Sequence, residues 1–181
     1  MGLLQSMDES ILFYILEHFH TPLLDKIMIV ITTLGNSGFI WLIIAALLLI
    51  PKKTRYIGIF LFLALCTEYL LGDMFLKPLI ARPRPFIRFP EIDLLIKRPG
   101  SFSFPSGHTM SSFTAATVIF WANKRAGISA YILAVLIGFS RLYLFCHYPT
   151  DVLSGAVLGT LTALFVITFA KSFPKQTQVK Q

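Results

Sequence analysis

Ser101-Phe-Ser-Phe-Pro-Ser-Gly-His-Thr-Met-Ser-Ser112 is the stretch on which the reading turns. Pro105-Ser106-Gly107 breaks regular structure, and a long apolar run with few breakers follows it. The stretch therefore reads as a loop feeding a helix N-terminus. The first N–H groups of a helix lack partners and carry partial positive charge, which suits an anion. Gly107 lets a ligand approach the backbone, and His108 exchanges a proton near neutral pH. Taken alone, the stretch is also a capped turn beside a solitary histidine.

Working outward, the chain is a membrane protein. Its 181 residues are 55% hydrophobic and 14% charged, with mean hydropathy +0.72. A soluble domain carries about 25% charged residues. Apolar segments run over 22–34, 38–50, 56–76, 107–123, 126–145 and 152–170. They predict an all-α, polytopic fold, a single domain over 1–181 with a bundle of six transmembrane helices, the first two short or tilted. Upstream, Ile11, Leu12, Ile15, Leu16 and Phe19 recur at helical spacing. Residues 1–21 thus hold an amphipathic helix, either interfacial or the first part of a kinked span, broken near Thr21-Pro22. His18 and His20 lie two apart and point away from each other on a helix, so they read as solvated. The start of the chain has no basic region before an apolar run, so no cleavable signal is expected. Met1-Gly2-Leu-Leu-Gln-Ser6 fits the loose myristoylation pattern, which the chain's own spans make unnecessary.

The net charge of +7 is clustered. Lys52, Lys53 and Arg55 form one group, Lys124 and Arg125 a second, and Lys171, Lys175 and Lys180 a third. All three flank apolar segments, as topology signals do, and a nucleic-acid partner does not fit so apolar a chain. With both termini cytoplasmic, these groups fall inside, including the 171–181 tail. The 77–105 loop then falls outside, although it carries Lys77, Arg82, Arg84, Arg88, Lys97 and Arg98. A basic loop on the wrong side of the positive-inside rule points to anion binding. The same layout brings Lys77–Arg84, Ser106–His108 and Arg141–Asp151 to one membrane face.

Each of those stretches carries chemistry. Arg141 near the end of an apolar segment is costly and reads as functional, or else as snorkelling to the interface. His147 and Asp151 are four apart, so on a helical turn Asp151 can orient one imidazole nitrogen. No hydroxyl stands at a fixed spacing from His147, which leaves the imidazole itself as a candidate nucleophile. Arg84 offers a fork matched to phosphate oxygens, and Lys77 offers a point charge. Arg82 is a second candidate, and Asp73 can pair with Lys77 from one turn away. Glu68 lies deeper in the same span. Cys66 and Cys146 are not in a metal-ligand spacing, and no carboxylate cluster suits Mg²⁺, so no metal and no cofactor are expected.

Lys77-x6-Arg84-Pro85, Pro105-Ser106-Gly107-His108 and Ser140-Arg141-x5-His147-x3-Asp151, in this order, resemble the signature of the type 2 phosphatidic acid phosphatase superfamily. The three motifs match in full and span residues 77–151. The resemblance implies a six-helix bundle with its site at the extracytoplasmic face. It implies that Lys77, Arg84 and Arg141 bind phosphate with help from Ser106 and the Gly107 N–H. His147 is then the nucleophile that becomes phosphohistidine, Asp151 orients it, and His108 protonates the leaving oxygen and activates water. It further implies a metal-independent lipid phosphatase of the plasma (bacterial inner) membrane, whose partners are a lipid phosphate and the bilayer. Undecaprenyl diphosphate is the favoured substrate. Phosphatidylglycerophosphate, phosphatidate and lipid A phosphates are the alternatives, and a catalytically silent lipid-phosphate binder or transporter is the competing class.

Overall fold

Thr21 and Pro22 split the first helical stretch in two. The Thr21 hydroxyl accepts from the Leu24 N–H at 3.3 Å, and Pro22 occupies the first turn of the new helix. A proline is at home there because that N–H has no helical partner. In the computed structural model, which describes residues 2–171, α1 runs Leu3–Phe19 and α2 runs Pro22–Leu34. A 3₁₀ turn at Asn36–Gly38 leads into α3, Phe39–Leu49. α4 is Arg55–Tyr69; it continues as a π-helical segment, Leu70–Leu76, into α5, Lys77–Ile80. α6 is a single turn, Pro85–Arg88. α7 (Gly107–Ala122), α8 (Lys124–Tyr143) and α9 (Pro149–Lys171) complete the chain, and no strand occurs among the described residues. The expected tail lies outside the described residues from 172 on, with Lys175 and Lys180 in it.

α7 is the central helix. Nine of its residues, mostly Ser, Thr and Ala, are buried, and it packs against α8, α9 and α4. Small side chains let helices approach closely where lipid supplies no hydrophobic drive. Gly155 and Gly159 on α9 do the same from the other side: a Cβ on Gly155 would stand 2.8 Å from the Ser106 carbonyl oxygen, and one on Gly159 would collide with that of Met110. The Thr114 hydroxyl bonds the Gly159 carbonyl at 3.0 Å, and the Trp41 indole N–H donates to the Ser112 hydroxyl at 2.9 Å. The apolar core is formed by Trp41, Leu61, Ala64, Ala116, Val118 and Ile137, among others.

Two expectations are corrected. Segments 22–34 and 38–50 are not two separate crossings. α2 and α3 run head to tail through a bend of 48°, at a turn where Ser37 and Gly38 have positive φ. Their partners descend one path: Asp25 meets Tyr143, Thr32 meets Arg141, Trp41 meets Ser112, and Ala45 backs onto Gly58. By length and composition, α4 through α6, α8 and α9 can each cross a membrane, and the bent pair makes a fourth candidate. α7 has sixteen residues and is shorter.

The second correction concerns α1. It lies across the end of the bundle that carries the start of α9, with Asp8 bonded to the Thr150 N–H and Leu12 packed beside Phe145 and Tyr148. The far end of α9 is twenty-two residues on, about 33 Å of helix rise. α1 and the end of α9 therefore sit at opposite ends of the bundle, which does not fit both termini on one side. The clusters Lys52–Arg55 and Lys124–Arg125 share the end away from α1, at the starts of α4 and α8.

Candidate active site

The loops at the α1 end converge on a cavity of about 770 Å³. Its wall includes Lys77, Arg84, Gly107, His108, Arg141 and His147. These residues come from α5, the following loop, α7, α8 and the α8–α9 turn, so distant parts of the chain meet here. Lys97 and Arg98 also line the cavity, against the acids Glu68 and Asp73, leaving a formal excess of three positive charges. Lys77, Arg84 and Arg141 are buried. Buried cations are retained only where partners or a ligand compensate for lost hydration.

Arg84 follows Ala81, which ends α5 in a left-handed conformation at φ 49. Its guanidinium is held in a fixed plane. Nε donates to the Ser101 carbonyl at 2.6 Å, one terminal N–H donates to the Ser101 hydroxyl at 3.1 Å, and the other donates to the Cys146 carbonyl at 2.9 Å. That last nitrogen is also 2.9 Å from Nε2 of His147. A guanidinium only donates, so Nε2 accepts and carries no hydrogen. The lone pair of His147 thus faces the cation that a phosphate would engage.

His147 sits in the turn after Phe145, whose φ of 54 is strained for a non-glycine residue. Packing of Phe145 between Phe13 and Phe89 holds the turn. Nδ1 of His147 is 3.7 Å from Oδ2 of Asp151 and has no hydrogen-bond partner. Burial pushes the imidazolium down to about 3, and Arg84 and Arg141 push the same way against Asp151. His147 is therefore neutral at physiological pH, the state in which its nitrogen is nucleophilic. Burial also raises the neighbouring Cys146 thiol, which donates to the Leu144 carbonyl.

Asp151 stands behind the cavity wall, fully buried. Oδ2 accepts from the Ser103 hydroxyl at 2.5 Å and the Tyr148 N–H at 2.9 Å, and Oδ1 accepts from Arg82 at 2.6 Å. Arg82 does not line the cavity as a second phosphate ligand. Its guanidinium also reaches Asp8 and Gln5 on α1 and lies 4.1 Å over the Tyr148 ring. Two carboxylates outcompete a distant ligand for that fork.

The other expected residues fall as follows. Asp73 pairs with Lys77 across one turn. Ser106 is buried at the start of α7; its hydroxyl accepts from Thr109 at 2.9 Å and its N–H donates to the Asp151 carbonyl at 3.1 Å. A Cβ on Gly107 would stand 3.1 Å from Oδ2 of Asp73 and 3.2 Å from Nζ of Lys77. His108 is half-buried, with Nε2 2.9 Å from Oδ1 of Asn36. Sequence reasoning missed Asn36, Thr32 and Asp8. Thr32 accepts from Arg141 at 2.6 Å, while the Arg141 Nε has no partner. Asn36 sat in plain view within Gly35-Asn36-Ser37-Gly38, but that run signals only a turn. Among the described residues no three His, Cys, Asp or Glu side chains cluster as a metal site.

A neutral imidazole, three buried cations and a helix N-terminus around one cavity suit attack on a phosphoryl group whose charge the cations absorb. Comparison with known proteins points to lipid phosphatases. The model of the PAP2 superfamily matches residues 55–174. The undecaprenyl-diphosphatase of Sulfolobus acidocaldarius is 32% identical over 164 residues, covering 90% of this chain and 79% of that protein. Phosphatidylglycerophosphatase B of Bacillus subtilis is 35% identical over 171 residues, covering 87% and 80%. The crystal structure of the transmembrane PAP2 type phosphatidylglycerolphosphate phosphatase from Bacillus subtilis superposes with a TM-score of 0.79 at 32% identity, covering 98% of this chain and 90% of that one.

Proposed function

Because this chain belongs to the PAP2 superfamily and is a membrane lipid phosphatase, we propose that it hydrolyses undecaprenyl diphosphate to undecaprenyl phosphate through a phosphohistidine. The observation that carries the reading is the unprotonated Nε2 of His147 among Lys77, Arg84 and Arg141 on one cavity wall. The terminal phosphoryl group sits among these cations with the Gly107 N–H at its edge. Nε2 attacks phosphorus, the bridging P–O bond breaks, and His108 gives its proton to the leaving oxygen. Asp151 steadies the imidazolium that forms, through Nδ1. His108 then takes a proton from water, whose oxygen attacks phosphorus and frees His147 and inorganic phosphate. No metal enters, because fixed cations neutralise the phosphoryl oxygens.

Lys97 and Arg98 on the same wall favour a diphosphate, which brings more negative charge than a monoester. The Sulfolobus relative supports that choice by its name. Phosphatidylglycerophosphate is the second reading, supported by the Bacillus phosphatase and its superposition. We place the cavity at the extracytoplasmic face of the plasma membrane. Lys52–Arg55 and Lys124–Arg125 at the opposite end favour that orientation by the positive-inside rule. The crossing elements are then α2–α3 as one kinked span, α4–α5, α7, α8 and α9, with α1 at the interface.

Phosphate release by the purified protein in detergent, with EDTA present, tests the reading. The substrates are undecaprenyl diphosphate, phosphatidylglycerophosphate, phosphatidate and a lipid A phosphate, with His147→Ala as control. Release that vanishes in the variant is expected, fastest on undecaprenyl diphosphate. No release from any lipid would move the chain to lipid-phosphate binding or transport, and inhibition by EDTA that Mg²⁺ reverses would end the metal-free mechanism.

A further inference from the structure

One group on the cavity wall has no place in the chemistry above. Glu68 is 5% exposed, lines the cavity, and leaves its Oε2 without a hydrogen-bond partner. An unsatisfied carboxyl oxygen at membrane depth is costly, and such groups are kept for function. The helix is shaped to present it. Leu70–Leu76 is π-helical, and a π turn takes more residues than an α turn. In an uninterrupted α-helix, residues five apart point about 140° away from each other. Here Glu68, Asp73 and Lys77 all line the one cavity. π segments of this kind are frequent at functional sites.

The position defines what Glu68 can touch. Five residues, roughly 7 Å of helix rise, separate it from Asp73, which holds Lys77 at the phosphate end. Leu65, Cys66, Tyr69 and Leu42 line the cavity around it, so this part is apolar apart from Glu68, Ser111 and the 35–38 turn. At 770 Å³ the cavity is far larger than a phosphoryl group, and the surplus volume accommodates the leaving group. A carboxyl oxygen accepts a hydrogen bond whether the group is ionised or not. A hydroxyl donor is therefore a partner it can take in either state.

We propose that Glu68 is a specificity-determining residue whose free oxygen accepts a hydrogen bond from a hydroxyl on the leaving group of a lipid phosphate. The proposal rests on reading the cavity as a lipid phosphatase site and concerns which lipids it takes. Prenyl diphosphates and phosphatidate lack that hydroxyl and make no use of Glu68. A lipid whose terminal phosphate is borne on a headgroup glycerol with a free hydroxyl, as in phosphatidylglycerophosphate, does. The bond favours that lipid over phosphatidate, its counterpart without the hydroxyl, and leaves undecaprenyl diphosphate dependent on the cations alone.

The test compares wild type, Glu68→Leu and Glu68→Gln on phosphatidylglycerophosphate, phosphatidate and undecaprenyl diphosphate, with vanadate inhibition measured alongside. Glu68→Leu should lower kcat/KM on phosphatidylglycerophosphate about tenfold or more and leave the other two within about twofold. Glu68→Gln keeps an acceptor oxygen in the same place and should retain most of the activity on phosphatidylglycerophosphate. Vanadate inhibition should be unchanged in both, since the cations are untouched. Uniform loss on all three lipids in either folded variant, or no loss on any in a folded Glu68→Leu protein, would overturn the proposal. A wild-type protein inactive on every lipid would instead defeat the phosphatase reading on which it stands.

Discussion

Arg82 joins Asp151 to α1: one terminal nitrogen lies 2.6 Å from Oδ1 of Asp151, and the other lies 2.7 Å from Oδ2 of Asp8. The buried Asp8 is otherwise satisfied by the Thr150 N–H and hydroxyl. Through Arg82, helix α1 is thus bonded to the acid that faces the His147 ring. Arg82 is thereby placed to act through Asp151, as a positioning residue would. Asp8→Asn should lower kcat about tenfold with KM little changed, because Arg82, which holds Asp151, loses one of its two carboxylates but the cations remain. Asp8→Ala leaves Arg82 and Thr150 unsatisfied and should cost about 3 kcal/mol of stability. Thermal unfolding in detergent and initial-rate kinetics check both, and a changed KM with unchanged kcat would argue against positioning.

Arg84 holds Ser101, Cys146 and His147 with one planar group. Lysine keeps the charge but cannot serve three directions at once. Arg84→Lys should reduce kcat by a factor on the order of 10², as removal of one charge-stabilising donor does elsewhere. Vanadate inhibition should weaken in parallel. A variant that loses rate but binds vanadate normally would remove Arg84 from the phosphate clamp.

His147 makes the protein sensitive to acid. Its folded-state value of about 3 lies below the ordinary value of 6.5, so the unfolded chain binds more protons between the two. The stability that follows from this difference is fully present above pH 6.5 and is lost as pH falls towards 3. His147→Gln should flatten the fall of Tm over that window. Activity should show no acid limb at 6.5 arising from His147, because its neutral form persists below that pH. An identical acid slope of Tm in the variant would contradict the neutral, buried imidazole.

Gly159 faces the Met110 carbonyl with no room for a Cβ. Gly159→Ala should force α7 and α9 apart and cost about 1–3 kcal/mol. Since α7 carries His108 and α9 carries Asp151, the rate should fall along with Tm. A variant with wild-type Tm would show that the helices have slack at this crossing.

Much of this was legible in the chain because it depends on local chemistry. Hydropathy announces a membrane protein, since twenty apolar residues have no other economical environment. Pro-Ser-Gly before an apolar run marks a helix start, and α7 begins at Gly107. Lys77, Arg84, Arg141, His108 and His147 stand out as polar groups in apolar surroundings, and they line one cavity. The break at Thr21-Pro22 is written in a cap and a proline.

Tertiary structure alone decided the rest. Segments 22–34 and 38–50 look like two spans, but whether a four-residue turn reverses a chain or bends it by 48° depends on what packs beside it. Here Thr32 on Arg141 and Trp41 on Ser112 draw both halves down one side of the bundle. Arg82 and Arg84 are two residues apart and chemically alike. Only the fold sends one to Asp8 and Asp151 and the other to His147, because a long-range contact has no signature in the local sequence. The free oxygen of Glu68 belongs to the same class. Its burial follows from the packing of α4, and its place on the cavity wall follows from a π-helical phase that residue types do not announce.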